Sequence, residues 1–300
     1  MTTTMIPRRA KVRLPDWAVG YLFILPALVG FVLFYLVPTV RALEVSLTDW
    51  NLLRAPKFVA LANYDKLLAD PTFWNSMWLS LCYVAYNIPV QTALGLLLAV
   101  LSDRLARNVS IRALIIAPYL ISNVVAALLW LLMLDPLLGL TNDWLQALGL
   151  SRHGFLSSPG EALISVAGIS TWRHTGLTAL LFYAGLQSIP RDLYEAARLE
   201  GCSEFSMFRH ITFPLLRPVT TFVIVTSIIG SFQVFDVIAV GTHGGPAEST
   251  RVVLWYIYEL AFKFNKMGYA SAASMVLFTV LILVTLVQMR VLRADHSDLD

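Results

Sequence analysis

Charge and cysteine are both scarce in this sequence. Of 300 residues, 14% are Asp, Glu, Lys or Arg, against about 25% in ordinary soluble domains. With 57% hydrophobic residues, too little polar side chain remains to cover a water-soluble globule, and lipid must solvate the excess. Two cysteines, Cys82 and Cys202, are too few for a disulfide framework and read as unpaired thiols. The net charge is only +3. No Lys/Arg cluster interleaved with aromatics occurs, so no nucleic-acid partner is expected. The chain lacks a G-x-x-x-x-G-K-[ST] phosphate loop and should not itself bind ATP. His153, His174, His210, His243 and His296 are scattered without H-E-x-x-H or similar spacing, so no metal is expected. No G-x-S-x-G elbow and no intramembrane acid/base pair is visible. The sequence therefore predicts neither an enzyme nor a cofactor. No internal repeat is visible, so the inverted-repeat plan of many secondary transporters gains no support.

Six apolar tracts fill the space left by these absences: 18–40, 76–102, 113–134, 162–189, 219–241 and 267–289. A bilayer core about 30 Å thick needs roughly 20 apolar residues per helix, and each tract is long enough. Each must be helical, because only a helix satisfies its own backbone in hydrocarbon. The expected fold is all-α and polytopic, with about six transmembrane helices. The first tract follows Arg8, Arg9, Lys11 and Arg13, but it is too long for a signal peptide and reads as a retained helix.

Basic residues in the loops set the orientation. With the N-terminus inside, the inner segments hold Arg8, Arg9, Lys11, Arg13, Arg104, Arg107, Arg112, Arg191, Arg198, Arg209, Arg217, Arg290 and Arg293. The outer segments hold Arg41, Arg54, Lys57, Lys66, Arg152, Arg251, Lys263 and Lys266. The outer loops are longer, so the bias predicts that both termini are cytoplasmic. The expected organisation is a cytoplasmic tail over 1–17, a permeation domain over 18–292 and a cytoplasmic tail over 293–300. Trp50, Trp74, Trp144 and Trp255 fall in the outer loops and suit the membrane interface.

The inner loop, 190–218, is long and patterned. Pro190 suits a helix start, Asp192 sits at its positive end, and Gly201 stops it. Arg191–Glu195 and Glu195–Arg198 have the spacing of ion pairs on one face. Ser203 is placed to cap a second helix with Glu204 in its first turn, and Pro214 and Pro218 end that helix. The pattern predicts two short helices joined at Gly201. Ala196 and Ala197 would let another surface approach closely, and Phe205, Met207 and Phe208 offer apolar contact. Two readings stay open at this level: a docking element for a soluble partner, or an interfacial amphipathic hairpin with none.

Glu195-Ala196-Ala197, Gly201, Ile211 and Pro214 resemble the EAA loop of ABC-importer permeases. Phe213 stands where the family usually has Leu. The outer segments Phe58–Tyr64 and Asp70–Trp74, Gly244-Gly245-Pro246 with Thr250, and Gly268–Ala272 are similar to sugar permeases of the maltose and multiple-sugar type. Glycerol-phosphate permeases share parts of the pattern. The resemblance covers nearly the whole chain. It implies a carbohydrate importer in the cytoplasmic (inner) membrane, with a second permease as heterodimer partner, two copies of a cytoplasmic ATPase and an extracytoplasmic binding protein. Under it, Glu195 and Arg198 contact the ATPase, Ala196 and Ala197 allow close approach, Gly201 makes the turn, and Ile211 and Pro214 fix the second helix.

Polar groups within the tracts are costly and point by default to a cavity. Trp130 and Trp172 are candidate faces for a sugar, and Asn123, Gln233 and Asp236 candidate hydrogen-bonding groups. Asp236 reads equally as an interface carboxylate or a helix-to-helix pair. Arg173 reads as a boundary residue or as a partner for a phosphate. Asn87, Gln91 and Asn123 also suit helix-to-helix hydrogen bonds. The alternative substrate is a sugar phosphate such as glycerol 3-phosphate. A membrane-embedded enzyme or a proton-coupled carrier would need a polar cluster or an ionisable relay that the sequence does not display.

Overall fold

The computed structural model describes residues 15–104 and 109–291. Arg8, Arg9, Lys11, Arg13, Arg107 and Arg293, which carry part of the orientation reading, lie outside them. Among the described residues the regular elements are all helices, with one isolated bridge between Thr48 and Phe58.

Helix α1 (Asp16–Phe31) passes through a π-helical turn, Val32–Leu36, into α2 (Val37–Ser46). Most of this rod stands clear of the rest of the chain, with Phe23, Phe34 and Tyr35 exposed; only α2 packs firmly, against the last helix. After the short helix α3 (Ala62–Leu68), Pro71 opens α4 (Pro71–Arg104), a first-turn position where its missing N–H costs nothing. Helices α5 (Val109–Leu120) and α6 (Asn123–Met133) meet at 92°. A connecting segment with α7 (Leu140–Ala147) leads to α8 (Ala162–Gln187). The patterned loop forms α9 (Arg191–Leu199), α10 (Glu204–Met207) and α11 (Phe213–Leu215). Then come α12 (Arg217–Phe232), the short helix α13 (Val253–Tyr258) and α14 (Met267–Val291).

Among the described residues, three helices are long and apolar enough to cross a membrane, or five if each of two bent pairs counts once. The tract at 162–189 is α8, which carries Arg173 and His174 and runs 26 residues. At 1.5 Å per residue that is roughly 39 Å, longer than the hydrocarbon core.

Helix α4 is the axis of the fold. Three apolar clusters lie along it in order: Phe73 and Met77 with Tyr256, Leu260 and Leu277; then Tyr83 with Val166, Ile238 and Trp255; then Ala99 with Phe182, Leu216 and Val223. Lipid is as apolar as these side chains, so close packing and hydrogen bonds hold the bundle rather than release of water. Gly176 makes one such approach possible: a Cβ there would stand 2.2 Å from the Ile115 carbonyl oxygen of α5.

Two tracts differ from the simple expectation. The third, 113–134, breaks at Ile121–Ser122 between α5 and α6. The last carbonyls of a helix have no partner in their own ladder, and Arg173 of α8 supplies one: Nε donates to Ile121 O at 3.0 Å and Nη2 to Tyr119 O at 3.1 Å. The fifth, 219–241, ends as regular helix at Phe232; residues 233–235 are non-helical before a short turn restarts at Asp236. Trp255 differs as well. It is 2% exposed, against Phe235 and Tyr258, rather than an interface ring.

The outer-loop motifs act as ties. Asn63 Nδ2 donates to Ser46 O at 2.8 Å and Thr48 O at 2.9 Å, while the Thr250 hydroxyl bonds Gly245 O and Thr242. The Asn63 bonds tie α3 to the end of α2, and the Thr250 bonds close the 242–250 loop.

Candidate functional site

The 190–218 segment folds as a hairpin that its own local chemistry specifies. Pro190, extended at ψ 131, precedes α9, and Asp192 occupies the first turn. At the other end Gly201 takes φ 79. Its N–H reaches Arg198 O at 3.0 Å, and the Cys202 N–H reaches Ala197 O at 2.9 Å. That double closure is a Schellman motif, which a left-handed residue makes possible. The Ser203 side chain then accepts from Ser206 N at 3.3 Å as the cap of α10. Leu216 and Pro218 mark a 64° bend into α12.

The residues of this hairpin divide by face. Glu195, Ala196 and Arg198 are exposed, Ala197 is buried, and Ile211 and Pro214 are half-buried. Ala197 therefore packs within the chain and offers no surface to a partner. Ile211 packs against the inner apolar cluster of Phe182 and Leu216. The pairs Arg191–Glu195 and Glu195–Arg198 do not form. Arg198 reaches across the turn to Glu204 at 3.6 Å instead, since the Schellman turn folds α10 back beside the end of α9. Glu195 keeps its carboxylate on the open face. Tyr194, which sequence reasoning passed over, ties the two arms: its hydroxyl bonds the Thr212 hydroxyl at 2.9 Å. Its signal was its place on the Ala197 side of α9. A cavity of about 680 Å³ opens beside the hairpin, lined by Asp103, Arg112, Tyr183, Glu195, Arg198 and Glu204.

A second cavity, about 220 Å³, opens between α4, α6, α8 and α12. Asn87 accepts from the Thr171 hydroxyl at 2.8 Å and donates to Ser231 at 3.1 Å. Gln91 donates to Thr178 at 2.9 Å and to Ser227 at 3.2 Å. The interrupted fifth tract turns Gln233 and Asp236 toward this space, and the break before α6 brings Asn123 to it. Asn123 Nδ2 donates to Asp236 Oδ2 at 2.6 Å.

Of the six residues expected along a substrate path, Asn123, Gln233 and Asp236 line this cavity, while Trp130, Trp172 and Arg173 do not. The two tryptophans meet edge to face at 5.5 Å, and each borders a separate apolar pocket. The Arg173 guanidinium is spent on the Tyr119 and Ile121 carbonyls, on His174, and on the face of Tyr119 at 5.1 Å. The phosphate-partner role suggested for it is thus not available. Tyr83, Ser170 and His174 line the cavity without having been singled out; a side chain inside an apolar helix gives no local sign of the face it shares.

Residues 91–295 match the family described as binding-protein-dependent transport system inner membrane component. A probable ABC transporter permease protein of Bacillus subtilis, YurN, is 36% identical over 286 residues, covering 93% of this chain and 98% of the relative. The trehalose/maltose transport system permease protein MalF of Thermococcus litoralis is 33% identical over 284 residues, covering 94% and 96%. A chain of a bacterial ABC transporter involved in import of the acidic polysaccharide alginate shares the fold. It superposes with a TM-score of 0.80 at 22% identity, over 93% of this chain and 96% of that one.

Proposed function

Because the chain belongs to the family of binding-protein-dependent transport system inner membrane components, we propose that it forms half of the translocation pathway of an ATP-driven carbohydrate importer. It is a permease subunit and not an enzyme, it lies in the inner membrane, and it works with a substrate-binding protein. The carbohydrate reading draws on the trehalose/maltose relative. A second permease completes the pathway, and two copies of a cytoplasmic ATPase power it. Both termini and the 190–218 hairpin face the cytoplasm.

The observation that carries the coupling role is the hairpin's division of labour. The Tyr194–Thr212 bond braces its two arms, and one side is fastened to the bundle through Tyr194, Ile211 and Leu216, which pack with Phe182 and Val223, so the hairpin moves as a rigid piece with α8 and α12. The other side leaves Glu195, Ala196 and Phe205 open. An ATPase that grips the open side transmits its closure to the helices around the inner cavity by rigid-body motion.

Purification of the tagged chain from its own cells in mild detergent tests this reading. Mass spectrometry is expected to recover an ATPase and a second polytopic permease. Recovery of the chain alone, where other membrane complexes survive, overturns it.

A further inference from the structure

We propose that Asp236 is a specificity-determining residue that restricts this half of the pathway to uncharged carbohydrate and rejects sugar phosphates and uronates. The proposal rests on the carbohydrate-importer reading and deepens it, since it names the chemical class that the inner cavity accepts.

Tyr83, Asn87, Gln91, Ser227, Ser231 and Gln233 present hydroxyls and amides, groups that both donate and accept. Among the described lining residues, Asp236 is the one acidic or basic side chain apart from His174. The Asp236 carboxylate spends one oxygen on Asn123 and keeps acceptor capacity for a hydroxyl entering the space.

Among the described lining residues no lysine or arginine offsets it. The Arg173 guanidinium can only donate, so His174 Nε2, 3.1 Å from it, must accept. The ring proton then sits on Nδ1, facing Ser170 O at 2.8 Å. His174 is therefore held as the neutral tautomer by a bond on each nitrogen. Arg173 itself is bound to the carbonyls at the broken end of α5 and does not line the cavity. The lining thus carries one negative charge in a membrane-embedded space, where like charges repel much more strongly than in water. A neutral sugar gives its hydroxyl hydrogens to the carboxylate. An anionic sugar brings no donor in its charged group and meets the repulsion in full.

The test is calorimetric binding to the assembled permease–ATPase complex in lipid nanodiscs, without the binding protein, so that selection by that protein does not enter. The probes are maltotriose, trigalacturonate and glycerol 3-phosphate. Wild type is expected to bind maltotriose at least about tenfold more tightly than either anion. Asp236→Asn, which keeps a partner for Asn123, is expected to remove most of that difference, and Asp236→Glu to retain it. Unchanged melting of both variants serves as the folding control. Equal binding of trigalacturonate or glycerol 3-phosphate by wild type overturns the proposal, as does a preference that survives in Asp236→Asn. If no probe binds while the ATPase co-purifies, the importer reading stands and this cavity is not its selective element. If the ATPase does not co-purify, the reading beneath the proposal fails as well.

Discussion

The Asp70 carboxylate sits just before α4 and accepts hydrogen bonds from the Tyr256 hydroxyl, from Tyr269 at 2.7 Å and from the Thr72 amide at 2.9 Å. Partial burial works to raise its pKa, but these bonds to the charged form outweigh burial and hold it below the ordinary value of 3.8. Burial and the neighbouring anion push the Tyr256 hydroxyl up, so it remains a donor. The sign follows. A depressed carboxylate contributes its stabilisation in full above 3.8 and loses it as the pH falls through the lowered value. Amide exchange in residues 253–263 is therefore expected to stay slow in mild acid and to rise only below that range. Tyr256→Phe removes a hydrogen bond to a charged group, worth roughly 1.5–3 kcal/mol, and should start the rise at higher pH. An unchanged exchange profile in that variant would remove the tie. Arg173 teaches a related lesson at the same scale. Its sequence context, an arginine between Trp172 and His174 in an apolar tract, announces cost but not partner. The partner is a pair of carbonyls more than fifty residues away, freed by a helix break that no glycine or proline at 121–122 signals.

At the scale of elements, the 190–218 hairpin was legible because each of its instructions is local. Pro190, Gly201 and Ser203 act within a turn of their own positions, and the backbone follows them. The ion pairs failed because spacing along one helix ignores what the turn brings beside it: Glu204 reaches Arg198 first. This separation of fold from surface makes the coupling role testable. Glu195→Lys alters an exposed carboxylate with no partner of its own among the described residues, so melting should change by less than about 0.5 kcal/mol. Transport is nevertheless expected to be lost. Gly201→Asp is expected to lose transport too, but with a fold cost of about 1 kcal/mol, because a side chain at φ 79 is strained. Uptake in membrane vesicles, read beside the melting of each purified variant, separates the two. Normal uptake by Glu195→Lys would take the hairpin out of the coupling path.

For the whole molecule, hydrophobic length announced where helices run, and helices occupy all six tracts. Length alone did not show that two of them are interrupted, or that both interruptions deliver polar groups, Asn123 and Asp236, to one cavity. That convergence depends on packing between distant segments, which periodicity within a segment does not encode. Orientation is likewise a property of the whole chain, set by a bias in Lys and Arg across all loops. If that bias governs, the turn of the hairpin and the loop between α6 and α7 lie on opposite sides of the membrane. Leu199 and Leu138 are suitable reporters, being 91% and 86% exposed. In a background of Cys82→Ala and Cys202→Ala, Leu138→Cys should react with a membrane-impermeant maleimide in cells whose inner membrane is intact. Leu199→Cys should react only after that membrane is opened. The reverse pattern would put Glu195 and its cavity on the side of the binding protein, out of reach of any cytoplasmic ATPase, and the rigid-body coupling route would have no motor at its end.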